Sequence, residues 1–161
     1  MIRPARPDDA PGICAIWNGF IRDTLVTFNP IEKTPEDVAA LISGRARDGH
    51  GTFVADSDGR IDGFATYGQF RSGVGYARTM EHTVLLSPAA QGRGTGRALM
   101  DELIAHARAG GAHSLFAGVS SGNPVGRAFH ARLGFEEVAV LPKVGFKNDH
   151  WLDLHLMQLR L

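Results

Sequence analysis

The chain has 161 residues, one domain's worth at roughly 150 residues per domain. Its 17 Lys+Arg balance 17 Asp+Glu and its pI is near 7.1, which argues against a nucleic-acid partner, since such domains run basic with a pI above about 9. Apolar residues at 43% and charged residues at 21% describe a globular chain. Cys14 is the lone cysteine and cannot close an internal disulfide. Met1-Ile2-Arg3-Pro4 lacks a signal-peptide core, and the longest uncharged run, 109–126, is too interrupted by polar residues to span a membrane. These features predict a soluble, cytoplasmic, one-domain protein with no nucleic-acid or membrane partner.

Along the chain, Met1 to Ala5 reads as a short strand. Asp8 and Asp9 can cap a helix on which Ile13, Ile16, Trp17, Phe20 and Ile21 form one apolar stripe. Thr34-Pro35-Glu36-Asp37 combines a cap, a first-turn proline and early acids, opening a second helix through Val38, Leu41 and Ile42. Thr52–Ala55 and Ile61–Tyr67 flank the turn residues Asp56-Ser57-Asp58-Gly59 and predict a hairpin. A further strand runs from about Tyr76 to Leu86. Gly94 to Arg108 is helical, with Leu99, Met100, Leu103, Ile104 and Ala107 on one face and Gly110-Gly111 as its stop. Ser114–Val119 is a short buried strand. Asn123–Leu133 is a helix with Val125, Phe129 and Leu133 as its stripe. His130 lies about 100° off that stripe and is not forced inward. Phe135–Leu141 and Trp151–Leu159 close the chain as strands. A block of strands followed by strand–helix alternation predicts an α+β arrangement, a mixed sheet covered by helices.

Glycine is over-represented, at 20 residues against a usual share of roughly 7%. Gln91-Gly92-Arg93-Gly94-Thr95-Gly96-Arg97 follows the apolar strand Val84-Leu85-Leu86 and opens a helix. Free backbone N–H groups and the helix dipole meet there. Missing side chains at 92, 94 and 96 would let a phosphate reach the main chain, with Arg93 and Arg97 adding charge from the rim. The spacing fits neither a P-loop, which needs a lysine after the glycines, nor G-x-G-x-x-G. Packing of the helix start is the competing explanation for these glycines.

The pattern Q-x-x-G-x-G after an apolar strand resembles the GCN5-related N-acetyltransferase superfamily. The resemblance extends to Asn123 through Phe135, where an Asn opens a helix that closes on Leu-Gly-Phe. More narrowly, Glu81-His82-Thr83-Val84, Val144-Gly145-Phe146-Lys147 and Trp151-Leu152-Asp153-Leu154 look like the phosphinothricin and methionine sulfone/sulfoximine acetyltransferases. Asn148-Asp149-His150 departs from those relatives, which often carry a glycine and a basic residue there. The resemblance implies a central mixed, largely antiparallel twisted sheet with helices on both faces, acetyl-CoA as co-substrate, and a homodimer. It also implies a cradle of Gln91 to Arg97 with Asn123, and a splayed strand whose Val84, Leu85 and Leu86 main chain pairs with the cofactor arm.

Acetyl transfer needs a neutral amine, a polarised thioester and a proton for the leaving thiolate. An α-amine with pKa near 8 is neutralised at pH 7 at a cost of about 1.4 kcal/mol. Glu81, an acid in an apolar strand just before the cradle, is the candidate to attract the ammonium and relay its proton; a solvated strand-edge carboxylate is the plainer alternative. His130 stands where many superfamily members have a tyrosine acid, and it could donate to the thiolate or simply pack. Cys14 has no basic neighbour and reads as a buried thiol rather than a nucleophile. The remaining histidines show no metal-ligand spacing. The loop Phe70-Arg71-Ser72-Gly73-Val74-Gly75-Tyr76 looks like the amino-acid loop of the narrower group. Arg71 or Arg78 could clamp a carboxylate there, with Phe28 and Tyr76 as walls. Two other readings stay open: acetylation of a peptide or polyamine amine, and a CoA-binding sensor without catalysis.

Overall fold

In the computed structural model, which describes residues 1–161, one seven-stranded sheet runs in the order β1-β2-β3-β4-β5-β7-β6. The strands are β1 (Ile2–Pro4), β2 (Thr52–Ser57), β3 (Arg60–Gln69), β4 (Thr79–Leu86), β5 (Ser114–Ser120), β6 (Glu136–Lys147) and β7 (His150–Arg160). Four helices accompany them: α1 (Ala10–Asp23), α2 (Pro35–Arg47), α3 (Thr95–Ala109) and α4 (Pro124–Arg132). Every neighbouring pair is antiparallel except β4 and β5, which are parallel. Parallel neighbours need a long crossover, and α3 supplies it.

Period-2 alternation sorts the sheet into two faces. Ala65, Tyr67, Met80, Leu115 and Ala117 share one core with Leu99, Met100, Leu103 and Ala107 of α3. Val54, Phe64 and Leu85 turn the other way, onto Ile13 of α1 and Val38 and Ile42 of α2. Helices therefore cover both faces. None of them is long and apolar enough to cross a membrane.

The predicted α2 start is present as a reciprocal capping box: Thr34 Oγ1 accepts from Asp37 N, and Asp37 accepts from Thr34 N. Asp8 and Asp9 do not cap α1. They lie in a 3₁₀ turn (Pro7–Asp9), and the Asp9 carboxylate instead accepts from Arg6 N and from the Arg3 guanidinium. β4 starts at Thr79 rather than Tyr76, which sits in a second 3₁₀ turn, Val74–Tyr76. On α4 the stripe is shorter than the spacing predicted: Phe129 and Leu133 pack on the core, but Val125 is 75% exposed.

The largest departure is β6, which continues to Lys147 rather than ending near Leu141. Its far end reverses the usual alternation, with Val144 and Phe146 exposed and Gly145 and Lys147 buried. A bulge precedes it, where Lys143 has φ 51° and its N–H donates to Asp153 Oδ1 at 2.8 Å. Asn148 and Asp149 form the two-residue turn with φ 50° and 60°. Asn and Asp tolerate that left-handed backbone better than other side chains, so glycine is not required there.

Candidate active site

β4 and β5 pair in register only from Thr79↔Ser114 to His82↔Ala117. Beyond that point β4 runs on to Leu86 and β5 to Ser120 without pairing. The divergence leaves the β4 main chain beyond His82 without a ladder partner on that side. Two cavities open along it, of about 330 and 530 Å³. They meet at Val26, Val84, Leu85, Asn123 and His130, which line both.

The larger cavity runs to the mouth of α3. Gln91, Gly92, Gly94, Gly96 and Arg97 line it, whereas Arg93 and Thr95 do not. The three glycines turn out to have different reasons. Gly92 and Gly94 have φ of 72° and 81° with open space where a side chain would stand, so the left-handed backbone is what requires them. Gly96 is a packing position, since a Cβ there would lie 3.2 Å from the Phe129 ring and 3.4 Å from Leu86. The cradle is thus built by conformation at two positions and by close helix contact at the third. Arg97 reaches across to the Arg132 carbonyl. Asn123 spends its Oδ1 on the Gly126 N–H at 2.9 Å, capping α4 at the wall of both cavities.

The smaller cavity holds Glu81. Its Oε1 lies 3.3 Å from the position a Cβ would take at Gly118, so a larger residue at Gly118 would displace the carboxylate. Surrounding groups desolvate Glu81 and push its pKa up, and the charge of Arg45 only partly opposes this. Arg45 sits on α2 with its guanidinium over Gly68, the cross-strand partner of Glu81. Trp17, Thr27 and Leu154 complete the walls. Phe28, expected as a wall, is one. Arg45 and Thr27 escaped the sequence reading, because each comes from a different element and neither belongs to a motif.

The loop from Phe70 to Tyr76 does not line this cavity. Phe70 stacks on Phe116, Arg71 sits over Phe70, and Tyr76 meets Phe70 edge-on. Val74 is 93% exposed and Gly75 has open space around it. Arg78 offers its carbonyl to His113 N and Ser114 N at the closed end of the β4–β5 pair.

His130 is buried, which helical spacing alone does not require, and two polar partners hold it there. Its Nδ1 lies 2.7 Å from Gly126 O and its Nε2 lies 2.9 Å from His82 Nε2. A carbonyl only accepts, so Nδ1 carries the His130 proton and Nε2 accepts from His82 Nε2–H. Both rings are held neutral by burial, His82 with its pKa lowered to about 3 and His130 lowered as well. In the unfolded chain both titrate near 6.5, so the unfolded state takes up protons first as pH falls. Stability should therefore decline below about pH 6.5, by at most about 1.4 kcal/mol per pH unit for each ring. Urea unfolding at about pH 7.5 and 5.5 measures this, and His82→Phe should flatten the dependence.

Cys14 is buried, donates to Lys33 O at 3.1 Å, and has its pKa raised by desolvation. It is poorly placed as a nucleophile.

A split parallel pair with a glycine-built helix mouth on one side and a desolvated carboxylate on the other is the layout of a two-substrate group-transfer enzyme. The chain belongs to the acetyltransferase (GNAT) family, whose sequence profile matches residues 17–135. It is 42% identical to the L-methionine sulfoximine/L-methionine sulfone acetyltransferase of Pseudomonas paraeruginosa, over 99% of this chain and 94% of that protein. It is 35% identical to the phosphinothricin N-acetyltransferase of Alcaligenes faecalis, over 98% and 80%. A structure from Salmonella typhimurium, solved with its cofactor acetyl-CoA, superposes with a TM-score of 0.96 at 37% identity, covering 100% of this chain and 93% of that one.

Proposed function

We propose that this chain transfers the acetyl group of acetyl-CoA to the α-amino group of a small amino-acid analogue of the methionine sulfone, methionine sulfoximine or phosphinothricin type. Transfer is direct, within a ternary complex. The observation that carries the reading is the meeting of the two cavities at five shared residues, with Glu81 in one and the α3 mouth in the other. The diphosphate lies at Gly92, Gly94 and the first N–H groups of α3. The pantetheine arm follows Val84, Leu85 and Leu86, whose main chain polarises the thioester carbonyl. Glu81 accepts a proton from the incoming ammonium. The amine nitrogen then bonds the carbonyl carbon, the C–S bond breaks, and the proton released from nitrogen passes to the sulfur. His130, with its N–H committed to Gly126, serves as a fixed wall where the reacting groups meet. It acts as an acid only if that bond is given up.

All 161 residues form one acetyltransferase domain, working in the cytoplasm. Homodimerisation is favoured by the exposed apolar side chains of the last hairpin, Val138, Val140, Val144, Phe146 and Trp151, a patch of the kind that marks interfaces. Thioester cleavage with a panel of amines tests the function. Methionine sulfone should be acetylated well above peptides and polyamines. Preference for a peptide or polyamine amine would favour the second enzyme reading, and CoA binding without any turnover would favour a sensor.

A further inference from the structure

Lys147 is 2% exposed near the edge of the sheet. Its Nζ donates to Thr24 O at 2.8 Å, Thr27 O at 3.0 Å and Thr27 Oγ1 at 3.1 Å. An ammonium has three protons, and all three are spent on neutral oxygens of one short segment. Burying a charge without an anionic partner is costly. Here the charge sits beside the C-terminal end of α1, where Thr24 is the capping residue and the helix dipole favours a cation.

The segment it holds, residues 24–28, belongs to no helix or strand. Ser120 Oγ donates to Leu25 O at 2.7 Å. Gly122 leaves no room for a side chain beside Leu25, and Gly145 leaves none beside the Phe28 ring. Four residues from β5, the turn after it and β6 therefore converge on this one stretch. Its Val26, Thr27 and Phe28 form the wall of the Glu81 cavity.

We propose that Lys147 is a positioning residue that straps the Thr24–Phe28 segment and thereby sets which amines fit beside Glu81. The statement about amines rests on the function proposed above; the strap itself does not. Lys147 touches neither the α3 mouth nor the α4 cap, and of the strapped segment only Val26 also lines the larger cavity while Thr27 and Phe28 line the Glu81 cavity alone, so its loss falls chiefly on the amine. In Lys147→Met, which matches the lysine stem out to Cε and removes the donors, KM for methionine sulfone should rise about tenfold or more. KM for acetyl-CoA should stay within about twofold. Amide hydrogen exchange in 24–33 should accelerate about tenfold, with 124–133 unchanged. Lys147→Gln, which retains two N–H donors, should fall between wild type and Lys147→Met, and it replaces the methionine variant if that one does not fold. An amine KM within twofold of wild type in a folded variant, or a parallel rise for both substrates, overturns the proposal. If the wild type acetylates no amine in the panel, the function reading falls, while unchanged exchange in 24–33 alone would still remove the strap.

Discussion

Glu81→Gln is expected to lower turnover by about two to four orders of magnitude, with the Kd for acetyl-CoA within about twofold of wild type. The change removes proton acceptance while keeping the shape beside Gly118, and Glu81 lines the smaller cavity rather than the α3 mouth. Since desolvation raises the carboxyl pKa, the wild-type kcat/KM should fall on acidification through a limb above the ordinary carboxylate range. The base works only when ionised, so the loss comes as pH decreases. The glutamine variant should lack that limb. The histidine pair should contribute none near neutrality, because both rings stay neutral there. Stopped-flow or steady-state thioester assays across pH, with calorimetry for acetyl-CoA, check these expectations. Wild-type turnover in a folded Glu81→Gln protein would remove Glu81 from the mechanism.

Gly94→Val should produce the complementary defect. A β-branched residue at φ 81° is strained by about 1–3 kcal/mol, and the backbone can relieve that strain only by rotating the N–H groups at the start of α3. KM for acetyl-CoA is expected to rise about tenfold or more, with kcat at saturation changed only a few-fold. Gly96→Val should behave differently again, lowering thermal stability through its clash with Phe129 as well as affinity. Equal affinity losses with no stability difference between the two variants would contradict the separate roles assigned to these glycines.

Elements with one dominant local signal were legible in the sequence. α1 followed from its stripe, α2 from its cap, α3 from its stripe and its glycine stop, the β2–β3 hairpin from its turn, and the sharp backbone at the α3 mouth from its glycines. Glu81 stood out as a candidate because an acid in an apolar strand has few structural reasons to be there, and it lines the smaller cavity. What escaped was decided by partners distant in sequence. Helical spacing left His130 off the core stripe with its burial undecided, and His82, 48 residues away, and the carbonyl one turn back hold it inside. Spacing also placed Val125 inside, where α4 has nothing to pack against it. The end of β6 was missed because its buried face carries Gly145 and Lys147 rather than apolar side chains. A lysine solvated by three protein oxygens is invisible to any pattern that equates burial with hydrophobicity. Leu154 shares a cavity with Glu81 because β7 pairs with β5, and Arg45 nears it because α2 lays its guanidinium over Gly68.

Val26, Val84, Leu85, Asn123 and His130 are the whole of the boundary shared by the two chambers. With one chamber for each substrate, as proposed above, substitutions elsewhere around Glu81 should change amine preference and leave acetyl-CoA affinity nearly untouched. Descendants of such a chain can try new acceptors one residue at a time without relearning how to hold their acyl donor, a freedom that a single merged pocket would deny them.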